Sequence, residues 1–172
     1  ETCNLARLVD DLMELSRIEM GRFSTYMERV RVDQFVPTVI SRLKPQAELA
    51  DLSLRFDEVE GAMWALTDPL RLEQVLVNLI SNALKFAPAK SCVRVKREQR
   101  GDDLVLHVAD KGPGIPLDQQ SRIFEPFYQM DSGFQRPGMG LGLYISQQII
   151  RTLGGDLWVK SEVSKGSTFS FR

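Results

Sequence analysis

The sequence predicts an α+β sandwich, with helices packed on one face of a sheet and one further helix in front of them. Three observations lead there. Helical periodicity recurs in three long segments, near 33–51, from Asp68 onward, and near 140–153. Seven short alternating runs, near 26–31, 52–58, 63–67, 91–99, 103–110, 156–162 and 167–172, read as strands. Strands and helices do not follow the regular alternation of a doubly wound parallel fold.

The first segment is helical because Leu5, Leu8, Leu12 and Leu15 alternate steps of three and four, with Val9 and Ile18 widening the stripe. An isolated helix of this length is marginal in water, so the stripe needs a partner. Two partners fit: another helix outside these residues or from a second chain, and the body of its own domain. Gly21 is expected to end this helix, and residues 21–25 read as a linker. Asp33 reads as the N-cap of the next helix, which tolerates Pro37 near its start and is expected to bend or break at Pro45. Asp68-Pro69 opens the following helix with a capping carboxylate and a proline at the first helical position. Gly101-Asp102 joins two alternating runs as a hairpin turn. Residues 111–138, rich in glycine and proline, form a long loop with a short helix inside, and Gly154-Gly155 stops the last long helix.

Composition removes several function classes. Hydrophobic residues at 43% and charged residues at 26% are ordinary for a globular domain, and a net charge of -1 offers no nucleic-acid or membrane surface. Cys3 and Cys92 lie far apart without nearby histidines, which argues against a disulfide scaffold or zinc site and fits a reducing, cytoplasmic setting. No apolar run approaches the roughly 20 residues of a membrane helix, and none reads as a signal peptide. Because the chain opens inside a helical pattern without an initiator methionine, it is expected to be a piece of a longer protein, whose membrane attachment stays open.

Four stretches carry chemistry. On the helix opened by Asp68, Gln74, Asn78, Ser81, Asn82 and Lys85 fall on one polar stripe opposite Leu72, Val75, Leu76, Leu79, Ile80 and Ala83. Two asparagines inside a helix are locally unfavourable, so the stripe fits a ligand surface as well as a wet helix face. Asp110-Lys111-Gly112-Pro113-Gly114-Ile115-Pro116 follows a strand directly; a carboxylate there accepts from an exocyclic amine while glycines admit a flat ligand, though an ordinary turn has the same composition. Arg122-Ile123-Phe124-Glu125-Pro126-Phe127-Tyr128 reads as loop packing or as the hinge of a lid. Gly138-Met139-Gly140-Leu141-Gly142-Leu143 opens a helix, where backbone N–H groups unshielded by Cβ atoms suit phosphate; the trailing Lys-Ser/Thr of a P-loop is absent.

In this order and spacing the four stretches resemble the N, G1, F and G2 boxes of the ATP-binding domain of sensor histidine kinases, in the superfamily shared with gyrase, Hsp90 and MutL. The resemblance covers nearly the whole chain. It implies that residues 1–20 are the end of the second dimerisation helix and 26–172 the catalytic domain. The implied fold is the Bergerat-type two-layer α/β sandwich, a mixed sheet covered by three helices.

By this resemblance Asn82 holds Mg²⁺, and Asn78 takes the slot where ATP-hydrolysing relatives carry a glutamate base, which favours a kinase over an ATPase. Lys85 reaches the phosphates and Phe86 lies against adenine. Asp110 reads the adenine amine, which implies ATP over GTP, and Gly112, Gly114 and Ile115 line the base pocket. Tyr128, in the lid stretch, contacts the nucleotide, Gly138, Gly140, Leu141, Gly142 and Leu143 cradle phosphate, and Thr168 lies beneath the base. Arg122 assists γ-phosphoryl transfer. Gln129 departs from the Arg or Lys of many relatives, and Arg136 is the alternative source of that charge.

The implied reaction carries the γ-phosphoryl group of Mg·ATP to a histidine, for relay to an aspartate on a response-regulator receiver domain, within a kinase dimerised through its helices. No phosphoacceptor histidine is expected in this chain, so it should not phosphorylate itself; His107, alternating with Val105 and Ala109, reads as a sheet position. Two other classes compete: a module that binds nucleotide only to change a protein contact, and a serine kinase of the same superfamily. Intact Asn82, Lys85, Asp110 and Arg122 argue against the first, and the leucine-striped helix argues against the second.

Overall fold

The computed structural model of the chain describes residues 2–20, 24–57, 61–130 and 139–172. Its helices are α1 (Thr2–Glu19), α2 (Val32–Leu49), α3 (Pro69–Phe86) and α4 (Gly142–Thr152), and its strands are β1 (Glu28–Arg31), β2 (Ser53–Asp57), β3 (Trp64–Thr67), β4 (Cys92–Arg100), β5 (Asp103–Asp110), β6 (Leu157–Glu162) and β7 (Gly166–Phe171). Five strands form a sheet in the order β2-β4-β5-β7-β6, and β1 and β3 pair separately as an antiparallel ribbon. The sheet is mixed because β2 runs parallel to β4, whereas the other neighbours are antiparallel. The expected single sheet is therefore two sheets, and α2, α3 and α4 cover the larger one on one face.

The core lies between these layers. Val75, Leu76, Leu79 and Ile80 of α3 are fully enclosed, facing Val93, Val95, Leu106 and Val108 of the sheet, with Ile149 of α4 and Val36 of α2 alongside. The predicted apolar face of α3 is the buried one. Asp68 caps this helix as its residue type predicts, accepting from Leu70 N at 3.0 Å and Arg71 N at 3.2 Å. Its second oxygen accepts from Tyr26 N at 2.8 Å, which ties the start of α3 to the segment entering β1.

Two local expectations are corrected. Asp33 is not a cap: α2 starts one residue earlier, directly off β1, with Arg31 as its flanking residue. The Asp33 carboxylate instead accepts from Met63 N at 3.0 Å and pairs with Arg31 Nη2 at 2.6 Å, tying α2 to the approach of β3. Pro45 does not interrupt α2, which runs continuously through both prolines. Pro45 and Ser41, whose carbonyl loses its helical donor, both sit on the exposed face, where water reaches that oxygen.

One side of α1 docks on the domain. Leu15 is buried, Ile18 packs on the core, and Glu14 engages the Arg71 guanidinium and the Gln74 amide of α3. Val9, Leu12 and Met13 remain exposed, so own-domain packing uses only part of the apolar stripe. The expected helix stop at Gly21 lies outside the described residues. No helix among the described residues is long and apolar enough to cross a membrane.

Candidate functional site

β5 delivers Asp110 to the end of the sheet on the face that the helices cover. There the chain turns sharply: Asp110 Oδ1 accepts from Gly112 N at 2.7 Å. A Cβ on Gly112 would lie 2.7 Å from that oxygen and 3.1 Å from the Phe86 carbonyl, so the turn sits directly against the end of α3. Burial pushes the Asp110 carboxyl above its usual range, opposed by the backbone N–H groups of Gly112 and Ser167. A desolvated carboxylate at an open sheet end is a strong acceptor for a neutral N–H donor. Phe86 is partly exposed beside it, with the Lys85 ammonium 5.1 Å from the centre of its ring.

The polar stripe of α3 runs from this corner toward α4. Asn78, Ser81, Asn82 and Lys85 are all half-buried. Asn78 Nδ2 donates to Ser146 Oγ at 2.8 Å, and its Oδ1 lies where a Cβ on Gly142 would stand 2.4 Å away. The first turn of α4 is thereby held against the middle of α3. Leu141, which flanks the helix start, is buried in the core, and Leu143 packs against it. The N–H groups of a helix N-terminus thus open beside the Asn78 amide, with Asn82 one turn further along α3.

The intervening loop closes onto the same corner. Phe127 N donates to Gly140 O at 3.1 Å, and Gly140, at φ +72°, approaches so closely that a Cβ would lie 2.5 Å from the Tyr128 carbonyl. Arg122 stacks over the Tyr128 ring at 4.6 Å. Phe124 meets Phe169 of β7 edge-on at 6.4 Å, anchoring the loop to the sheet. The short helix expected in this loop is two 3-10 turns, Leu117–Gln119 and Arg122–Phe124.

Gly138, with Arg136, lies outside the described residues. Two other predicted positions stand differently from their expectation. Gly114, at φ +74°, is required by the protein rather than by a ligand, because a Cβ would fall 2.0 Å from the Glu162 carbonyl. Thr168 pairs with Ala109 and Lys160, on the face that the helices leave open. Strand alternation puts its neighbour Ser167, the register partner of Asp110, on the covered face. Ser167 is the residue missed by reasoning from the chain, although the phase of Phe169 and Phe171 marks its face. Ser146 was missed too, although it shares the buried side of α4 with Ile149 and Ile150. His107 is a sheet residue as expected, between Ser170 Oγ at 2.8 Å and Glu98 Oε2 at 3.1 Å.

Comparison with known proteins bears on this arrangement. Residues 67–172, spanning α3 to the last strand and every element of the site, match the family described as histidine kinase-, DNA gyrase B-, and HSP90-like ATPase. The chain belongs to this family. Among curated members, the circadian input-output histidine kinase CikA of Synechococcus elongatus is 32% identical over 97% of this chain and 23% of its own length. The sensor-like histidine kinase SenX3 of Mycobacterium tuberculosis is 36% identical over 99% of this chain and 42% of its own. The crystal structure of full-length ShkA in complex with AMPPNP matches with a TM-score of 0.86 at 29% identity, over 97% of this chain and 35% of that one. This chain therefore spans less than half the length of these relatives. Within the family it corresponds to the ATP-binding catalytic domain of sensor histidine kinases, together with a helix in front of it.

Proposed function

We propose that this domain binds Mg·ATP and transfers the γ-phosphoryl group to a histidine nitrogen on a dimerisation helix. The observation that carries this reading is the meeting of Asp110, the asparagine stripe of α3 and the N-terminus of α4 around one open corner. Asp110 accepts from the adenine amine, Phe86 and the Gly112 turn lie against the base, and Ser167, the register partner of Asp110, takes the place beneath the base that the resemblance implies for Thr168. Gly140, Gly142 and the first N–H groups of α4 face the phosphates, and Lys85 and Arg122 supply positive charge.

Asn82 offers one half-buried amide oxygen, and among the described residues no three His, Cys, Asp or Glu side chains cluster. That donor set fits Mg²⁺ arriving with its nucleotide, ligated by one protein oxygen, phosphates and water. When bound, the ion neutralises charge developing on the phosphates. In the transfer the incoming imidazole nitrogen forms a bond to the γ-phosphorus as the bond to the ADP oxygen breaks. Asn78 supports transfer over hydrolysis: its amide takes no proton from water, and one of its two N–H groups donates to Ser146.

The histidine would then pass the phosphoryl group to an aspartate of a response-regulator receiver domain, in a dimer of kinase chains. Use of ATP assigns this domain to the cytoplasm. A calorimetric titration with ADP and a non-hydrolysable ATP analogue in Mg²⁺ tests the site, with GTP and Asp110→Asn as controls. Adenine-selective, Mg²⁺-dependent binding that the substitution removes is the expected result, followed by phosphotransfer to a supplied histidine-bearing helix. A folded chain that binds no nucleotide would overturn the reading.

A further inference from the structure

Asp110 ends a strand, and one bond from Gly112 N does not by itself hold a sharp turn of glycine and proline in place. The restraint comes from the turn between β6 and β7. Ser164 N donates to Pro113 O at 2.7 Å, and the Gly114 backbone lies flush on the Glu162 carbonyl. Ile115 N then donates to Ser161 Oγ at 2.8 Å. That hydroxyl donates onward to Gly166 O at 2.8 Å and lies 2.9 Å from Ser167 Oγ. Ser167 is the register partner of Asp110, so these contacts close a ring that begins and ends at that residue. Gln120 Nε2 braces the ring, reaching Ile115 O and Ser161 O, each at 2.9 Å.

A single carboxylate distinguishes adenine from guanine only while its oxygens stay where the exocyclic amine arrives. A turn free to shift lets a bridging water donate to the guanine carbonyl, or lets the carboxylate accept from the guanine N1–H instead. Ser161 is the side chain of the sheet to which that turn is tied, and it sits on the strand beyond β7, away from the corner itself.

We propose that Ser161 is a positioning residue that sets the purine selectivity of the site by fixing the Asp110–Ile115 turn. This rests on the nucleotide-binding reading given above. The test titrates ADP and GDP, in Mg²⁺, into the unmodified chain, Ser161→Ala and Ser161→Thr, and follows amide exchange at Ile115. Ser161→Ala should weaken ADP about tenfold, the cost of one buried N–H left without its acceptor. It should change GDP much less, so that the ADP-to-GDP ratio shrinks, and should speed exchange at Ile115. Ser161→Thr keeps the hydroxyl and should restore all three. An unchanged ratio in folded Ser161→Ala overturns the proposal, whatever happens to its melting temperature. Should Ser161→Ala fail to fold, Gln120→Ala loosens the same turn and must shrink the ratio, and an unchanged ratio there overturns the proposal equally. An unmodified chain that binds neither nucleotide removes the nucleotide reading and this proposal together. ADP binding with an unaltered ratio in the variants removes only the proposal.

Discussion

Asn78 and Ser146 join the two helices that frame the site: the Asn78 amide donates 2.8 Å across to a serine hydroxyl that is 1% exposed. Both ends of the amide face α4: its nitrogen donates one hydrogen to Ser146, and its oxygen lies close against Gly142.

Ser146→Ala should therefore cost about 1 kcal/mol of stability, because a part-buried N–H loses its acceptor. Gly142→Ala should be worse. Its Cβ would stand 2.4 Å from Asn78 Oδ1, so the side chain or the helix start must move, at a cost of about 1–3 kcal/mol. Denaturation midpoints measure both, and a nucleotide titration should show weakened affinity for Gly142→Ala. Unaltered affinity in that variant would mean that the Asn78 amide lies apart from the nucleotide.

Nucleotide affinity should fall on acidification earlier than an ordinary carboxylate would dictate. Binding an amine donor requires ionised Asp110, and burial raises the pKa of that group above its ordinary value of 3.8. As pH falls through the raised value the carboxyl takes a proton and presents a donor to a donor. In the nucleotide-free chain the same shift makes folding less favourable as pH rises from the unfolded to the folded pKa. Titrations between pH 4 and pH 8, compared with Asp110→Asn, separate this group from other ionisations.

Acid stability has the opposite sign at two other carboxylates. Arg31, with the Met63 N–H, holds Asp33 down to about 2, and Arg100, with His107, holds Glu98 down to about 2. Both contribute stability above their unfolded values of 3.8 and 4.5 and lose it as pH falls toward 2. Asp33→Asn and Glu98→Gln should each flatten the decline of stability with acid in that window. A parallel decline in the variants would show that these pairs contribute nothing to it.

Glu14→Ala should release α1 without disturbing the site. The carboxylate engages Arg71 and Gln74 with side-chain exposures of 15% for Glu14 and 22% for Arg71, a partly desolvated contact worth about 1–2 kcal/mol. Limited proteolysis should cut α1 faster in the variant, while ADP affinity stays within about twofold, a difference well under 1 kcal/mol. A larger loss of affinity would show that α1 supports the polar stripe through Gln74.

Much of this arrangement was legible along the chain. Periodicity alone assigned the buried face of α3, because an apolar stripe has one place to go, and Asp68-Pro69 marked its start because capping is decided within a few residues. Asp110 was legible for the same reason: a polar residue closing an apolar strand announces a strand end. Asp33 shows the limit of such local signals. Its carboxylate is as good a cap as that of Asp68, but it met the Arg31 side chain and the Met63 N–H, a donor 30 residues away.

What the sequence by itself determined is therefore the identity of the elements, their apolar faces and the four stretches that carry the chemistry, all properties of neighbouring residues. Beyond the β4–β5 hairpin that Gly101-Asp102 marks, tertiary structure decided which strands meet. It paired β2 parallel to β4, set β1 and β3 apart as a ribbon, and aligned Ser167 with Asp110 while turning Thr168 to the open face. It also gave Asn78 and Ile115 their partners, Ser146 and Ser161. Such pairings depend on the register between segments distant in sequence. A shift of one residue reverses every side chain of a strand while leaving its local pattern unchanged.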